Sequence, residues 1–257
     1  ILARELRVKG LMNIQFAVKD DEIFLIEVNP RASRTVPFVS KSIGHPLAKY
    51  ATWLMLGQKL SDIGFSYETP ESVSVKETVF PFISFSGADT ELGPEMKSTG
   101  EVMGRGENLE DAFLKAQVAA YQSEIKEGHI FIGVTDQDKQ GMVPAALEFQ
   151  KAGRKILATE GTYKVLQKAG VTNIEKTSLD REDPDNIFDY IDRKEVALIV
   201  NTTRPRKRSV DAKHIRRVAL MRNLPYFTTV EGTLMMACAI VATDSGKKLN
   251  YKSLLIS

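Results

Sequence analysis

The sequence predicts an α/β chain, with an α+β piece ahead of a parallel sheet that carries helices on both faces. Three observations predict it. Near the start, the polar turn Lys19-Asp20-Asp21-Glu22 separates two short apolar runs, as a hairpin does. From about residue 122 onwards, buried-looking strands alternate with helical stretches, the pattern of βα repeats. Gly57, Gly153 and Gly170 each close a helical stretch, where a glycine readily takes the left-handed conformation that ends a helix.

The elements follow in order. Residues 12–18 and 23–28 form the hairpin, which puts Gln15 close to opposite Glu27. Pro46 opens a helix over 47–56, on which Trp53 reads as a packing residue. Residues 60–103 are rich in Pro, Gly, Ser and Glu and read as irregular structure with short strands. Asn108 caps a helix over 109–126, with Ala112, Ala116 and Ala119 or Ala120 on one face. Strands at 129–134, 156–158, 196–200 and 226–227 then alternate with helices at 142–152, 162–169, 211–222 and 230–242. The boundary falls near Tyr121, giving domains 1–120 and 121–257.

Two places carry chemistry. Along the strand ending at Asn29, Glu27 and Asn29 share a face, with Ile26 and Val28 expected to pack behind them. A carboxylate and an amide carbonyl are hard oxygen ligands of the kind Mg²⁺ takes, completed by water and nucleotide phosphates. Pro30 ends the strand, and Arg31 and Arg34 follow as fixed cations suited to an anion. This reads as the metal-binding end of a phosphoryl-transfer site. The second place is the set of strand ends in the parallel sheet, where open sheets bind ligands. Thr159-Glu160-Gly161-Thr162, Asn201-Thr202-Thr203 and Thr228-Thr229 offer hydroxyls and a glycine, and Lys139 and Lys176 add charge. Each Thr or Asn taken singly reads better as a helix cap; their recurrence at several strand ends argues for an anion pocket.

Glu27-x-Asn29-Pro30-Arg31 resembles the metal-ligand strand of the ATP-grasp ligases. The longer runs 10–18, 34–41, 74–77 and 92–104 look like one member of that family, the large subunit of carbamoyl-phosphate synthetase. That resemblance implies a partial ATP-grasp C-terminal piece followed by a Rossmann-like, methylglyoxal-synthase-like (MGS-like) allosteric domain. It implies Gln15, Glu27 and Asn29 as ligands for Mg²⁺ (or Mn²⁺) across the phosphates of ATP, with Arg31 and Arg34 beside them in catalysis. Nucleotide-phosphate contacts carry over to Lys139, Thr159, Thr162, Lys176, Asn201 and Thr203, for UMP as inhibitor or IMP as activator. Ornithine contacts carry over to Glu77, Tyr226 and Thr228. The implied partners are the remainder of the large subunit, a glutaminase small subunit and further copies in a homo-oligomer. The implied role is carbamoyl phosphate synthesis for pyrimidines and arginine.

The chain departs from the family pattern at two points. Phe227 stands where the ornithine-responsive pattern has an acidic residue. The run Arg204-Pro205-Arg206-Lys207-Arg208 is either a solvated loop or a clamp by Arg206 or Arg208 on a highly phosphorylated effector such as phosphoribosyl pyrophosphate. Arg216 and Arg217 suit packing or solubility. Two other functions compete with this reading: an oligomerisation module built on the helix at 211–222, and a free-standing methylglyoxal synthase. The second lacks its glycine-rich, aspartate-bearing segment and keeps only Asp180.

Composition narrows the rest. A net charge of +2 argues for neither nucleic acid nor a membrane surface. The single cysteine, Cys238, sits in an apolar run and reads as a core filler. With no signal peptide and no membrane-length apolar run, a cytoplasmic location is expected. The chain opens at Ile1, and nothing before Glu27 supplies a glycine-rich phosphate loop. It therefore reads as a C-terminal fragment, inactive as a ligase by itself.

Overall fold

The computed structural model describes residues 1–79, 100–122, 124–202 and 210–244, with 210–213 described as backbone only. The chain separates into two compact units between Glu71 and Ser72. The change of texture at Tyr121 falls inside the second unit.

The first unit holds α1 (Leu2–Glu5), β1 (Asn13–Lys19), β2 (Glu22–Asn29), α2 (Thr35–Ile43), α3 (Leu47–Met55) and α4 (Leu60–Ile63). β1 and β2 pair antiparallel, and Asp20 and Asp21 both take positive φ, 50° and 63°, as a tight two-residue hairpin turn requires. Gln15 lies opposite Glu27, but Phe16 lies opposite Leu25, so Ile26 is an extra residue in β2. This bulge breaks the simple alternation expected of the strand. Ile26, expected to pack behind the ligand face, is 63% exposed, and Phe16, Val18, Ile23, Phe24 and Leu25 are exposed with it. α2 was not expected. Its Pro37 falls in the first turn, where the missing N–H costs nothing, and Gly44 ends it in the left-handed conformation. Trp53 packs as expected, 5.9 Å from the Tyr50 ring, which in turn meets Phe65 edge-on.

The second unit begins with an antiparallel pair, β3 (Val73–Val79) and β4 (Gly100–Gly106), each seven residues long where short strands in irregular structure were expected. α5 (Leu109–Tyr121) lies across this pair so closely that backbone meets backbone at Gly104 and Gly106. Asn108 caps α5 as expected: its Oδ1 accepts the Asp111 N–H at 2.9 Å. The helix stops at Tyr121, five residues short of the expected end, because Gln122 takes φ 51°. Asn108→Ala should cost about 1 kcal/mol of stability, read as a lowered urea midpoint, with Asn108→Asp close to wild type.

The remainder is a three-layer α/β/α arrangement. β5 (His129–Ile132), β6 (Ile156–Thr159), β7 (Ile174–Thr177), β8 (Val196–Val200) and β9 (Tyr226–Phe227) form one parallel sheet in the order β7-β6-β5-β8-β9. The helices are α6 (Val143–Lys151), α7 (Glu160–Lys168), α8 (Ile187–Asp192), α9 (Val210–Met221) and α10 (Val230–Asp244). Strand residues divide by parity between two cores. Ile130, Ile132, Ile156, Ala158, Leu198 and Val200 join Phe149, Leu166, Met236 and Ile240 on one face. Phe131, Leu157 and Ile199 join Ile187, Ile191 and Ile215 on the other. The chain leaves β5 in one direction through β6 and β7, then returns to the other side of β5 as β8. The crevice above β5 is thus the topological switch point, where open α/β sheets bind ligands.

Candidate functional site

At that switch point the loop leaving β5 is stitched to strands on both sides. On one side the Val134 N–H reaches the hydroxyl of Thr162 at 3.5 Å. On the other, Asn201 at the end of β8 donates from Nδ2 to the Gly133 carbonyl at 2.6 Å. The Thr135 N–H donates to Thr202 Oγ1 at 3.1 Å, and the hydroxyls of Thr135 and Thr202 both donate to Asp138 Oδ2 at 2.6 Å. Buried polar groups must be paired, and here the pairing holds three strand ends in one arrangement.

The expected phosphate contacts do not all fall together. Thr159 and Thr162 come together, their hydroxyls 3.2 Å apart at the first turn of α7. Thr159 stands at the N-cap position of that helix, yet its side chain makes no capping bond, so the cap reading fails for it. Lys139 joins them: its ammonium lies so close over Gly161 that a Cβ there would collide with Nζ. Lys176 sits within β7, beside Ala158 of β6, and not in the loop beyond it. Its charge is felt at Glu160, at the start of α7. Lys164 first, then Lys176, holds the Glu160 carboxyl below its usual range. Asn201 is only 5% exposed, and its amide is committed within the fold, donating to Gly133 and accepting from the Tyr226 hydroxyl at 3.2 Å. Thr203 and the arginine run from 204 to 208 lie outside the described residues, as does the part of the 92–104 run before Gly100.

Of the positions matched to ornithine contacts, Glu77 and Tyr226 are linked through α5, and Thr228 is exposed beyond β9. Glu77 Oε2 accepts from Gln117 Nε2 at 2.7 Å, and the Tyr121 hydroxyl accepts the Tyr226 N–H at 3.0 Å. Burial pushes the phenols of both Tyr121 and Tyr226 up, the Glu77 charge adding to the effect at Tyr121 and Arg216 opposing it at Tyr226. Both therefore stay neutral near pH 7, the Tyr121 hydroxyl accepting from Tyr226 and the Tyr226 hydroxyl donating to Asn201. Arg216, read from sequence as packing or solubility, sits 5.8 Å from the Tyr226 ring centre. Thr229 does serve as a cap, accepting the Gly232 N–H at the start of α10.

In the first unit, the hairpin places Gln15 and Glu27 as cross-strand partners, which puts them on one face. Asn29 Nδ2 donates to Glu27 Oε1 at 2.9 Å, so the amide nitrogen is committed to the carboxylate and the carbonyl oxygen is left for a cation. Arg31 and Arg34 are both exposed; Arg31 bonds the Ala32 carbonyl, and Arg34 is the N-cap residue of α2. Among the described residues no group of three His, Cys, Asp or Glu gathers as a metal site, so any cation here relies on the amide oxygens.

Residues 1–63 match the family described as the carbamoyl-phosphate synthase L chain, ATP binding domain, and residues 141–228 match the MGS-like domain. The carbamoyl phosphate synthase large chain of Methanobrevibacter smithii is 48% identical over 98% of this chain and 24% of its own length. That of Mesorhizobium japonicum is 45% identical over 95% of this chain and 21% of its own. The C-terminal section of the large chain from Methanocaldococcus jannaschii is 42% identical over 97% of this chain and 42% of its own. The chain matches the C-terminal portion of the carbamoyl phosphate synthase large chain. It spans less than a quarter of the two full-length large chains.

In large-chain terms, the hairpin and its helices are ATP-grasp-like, and the parallel sheet belongs to the MGS-like domain. No helix among the described residues is long and apolar enough to cross a membrane. Cys238 on α10 is half-buried, and burial pushes its thiol up, away from the thiolate a nucleophile needs. Sequence reasoning passed over Thr135 and Asp138. Their spacing was a usable signal, because a threonine three residues before an aspartate is a common turn-closing pattern.

Proposed function

We propose that this chain is the regulatory C-terminal part of a glutamine-hydrolysing carbamoyl phosphate synthase, and that its MGS-like domain binds a nucleotide monophosphate of the UMP or IMP type. The observation that carries this reading is the convergence of Lys139, Thr159 and Thr162 on one turn at the switch point of the sheet. The Thr159 hydroxyl, backed by the fully buried Thr162 hydroxyl, and one ammonium at a helix N-terminus suit a phosphate. Asn201 acts one step back, fixing the strand ends that present those groups.

The hairpin serves the ATP-dependent step of the intact enzyme. One carboxylate and two amide carbonyls from paired strands fit a hard, oxygen-loving cation, so Gln15, Glu27 and Asn29 would hold Mg²⁺ or Mn²⁺. The metal would offset charge on the phosphoryl group in transfer. Arg31 and Arg34 add cationic charge near the ATP phosphates. In that enzyme the remainder of the large chain completes the ATP site, the small subunit delivers ammonia, and the product enters pyrimidine and arginine synthesis. Ornithine would act through Glu77, Tyr226 and Thr228.

Calorimetric titration with UMP, then IMP and phosphoribosyl pyrophosphate, tests the effector reading. Saturable binding is expected, weakened at least tenfold in Lys139→Ala, since a charge-assisted bond contributes about 1.5–3 kcal/mol. Absence of heat with all three from folded protein would remove the reading.

A further inference from the structure

The proposed phosphate pocket contains a carboxylate of its own, whose role there rests on the phosphate reading. Lys139 Nζ is paired with Asp136 Oδ1 at 2.5 Å. The lysine side chain is 16% exposed and the aspartate side chain 93% exposed, so a buried-side cation is held by an anion that stands in solvent. Gly161 leaves room for the ammonium: only a residue without Cβ lets Nζ lie over the first turn of α7, the turn on which the Thr159 and Thr162 hydroxyls meet. A phosphate that reaches Lys139 there meets the Asp136 charge at the same ammonium. Two anions close to one cation repel each other, and a monoanion gains less from the exchange than a dianion does.

We propose that Asp136 is a built-in competitor for Lys139, setting both the affinity of the pocket and the charge a ligand must carry to enter it. A dianionic phosphate displaces the carboxylate; a singly charged carboxylate ligand does not. The turn is held by bonds that do not involve Asp136. It is closed by the Asp138 N–H on the Thr135 carbonyl, the Thr135 hydroxyl on Asp138, and the Met142 N–H on the Asp138 carbonyl. Asparagine suits such a turn as well as aspartate. Asp136 is thus a residue that tunes affinity, separable from those that build the pocket.

The experiment is an NMR titration of the 257-residue chain, following the Gly161 and Thr162 amides, with inorganic phosphate and separately with acetate. Wild type, Asp136→Asn, Asp136→Glu and Lys139→Ala are compared. Asp136→Asn should bind phosphate about three- to fivefold tighter, the scale of one largely exposed ion pair. It should also respond to acetate where wild type does not. Asp136→Glu should behave as wild type, and Lys139→Ala should lose the phosphate response. A phosphate response seen only in Asp136→Asn would support the competitor. Wild-type binding with unchanged or weaker affinity in Asp136→Asn would overturn it and leave the pocket standing. No response to either anion in wild type or Asp136→Asn would sink the pocket and the competitor together.

Discussion

Gly104→Ala should destabilise the second unit by about 3 kcal/mol, a large effect for one added methyl group. The new Cβ would fall on the Ala112 carbonyl oxygen and lie 2.5 Å from the Ala116 nitrogen. Both are backbone atoms of α5, so no side chain can swing aside, and the helix would have to lift off β4. Gly106→Ala should act the same way, through the Ala112 nitrogen at 2.5 Å. Gly100 on the same strand is the control: a Cβ there would meet Val79 at 3.4 Å, an ordinary contact, so Gly100→Ala should change little. Urea midpoints of the three variants, with hydrogen exchange across α5, measure this. Equal stability for Gly104→Ala and Gly100→Ala would refute the close packing of helix on strand.

Asn201→Ala should cost about 2 kcal/mol, because it leaves the Gly133 carbonyl without its donor in a buried place, while the Tyr226 hydroxyl keeps the Asn201 backbone carbonyl. Asn201→Asp should not rescue it, since a carboxylate cannot donate to the Gly133 carbonyl. This separates a positioning residue from a ligand contact. A residue that only touched phosphate would change effector affinity and leave the urea midpoint alone. A loss of stability without any ligand present is the expected result, and an unchanged midpoint would make Asn201 a direct contact instead.

The parallel sheet was legible because its strands are β-branched runs with glycine-marked helix ends, signals that lie within about ten residues of one another. The caps at Asn108 and the hairpin turn at Asp20-Asp21 were legible for the same reason. The bulge at Ile26 was not. Five residues in a row from Ile23 to Glu27 contain four apolar side chains, so no polar alternation marks the register. α2 was masked by Pro37, although Gly44 stood as its stop signal. In the candidate site, residue types could be read but not their division of labour. Whether Asn201 points at a ligand or at Gly133, 68 residues away in sequence, is decided by the sheet. The pairing of Asp136 with Lys139 is local, yet only the seat over Gly161 shows why it bears on the pocket.

The contact between α5 and α10 has a consequence in time. Leu114 on α5 shares its core with Met236, Ala239 and Ile240 on α10, while the opposite side of α5 is already seated against β4. More than a hundred residues separate the two helices in the chain. At a synthesis rate of about 5–20 residues per second, α10 leaves the ribosome roughly 5–20 s after α5. The sheet strands emerge in between, with one of their faces still lacking its last cover. The nascent domain therefore waits, half-clothed, for α10, and a chaperone that grips apolar surface has its opening in that interval.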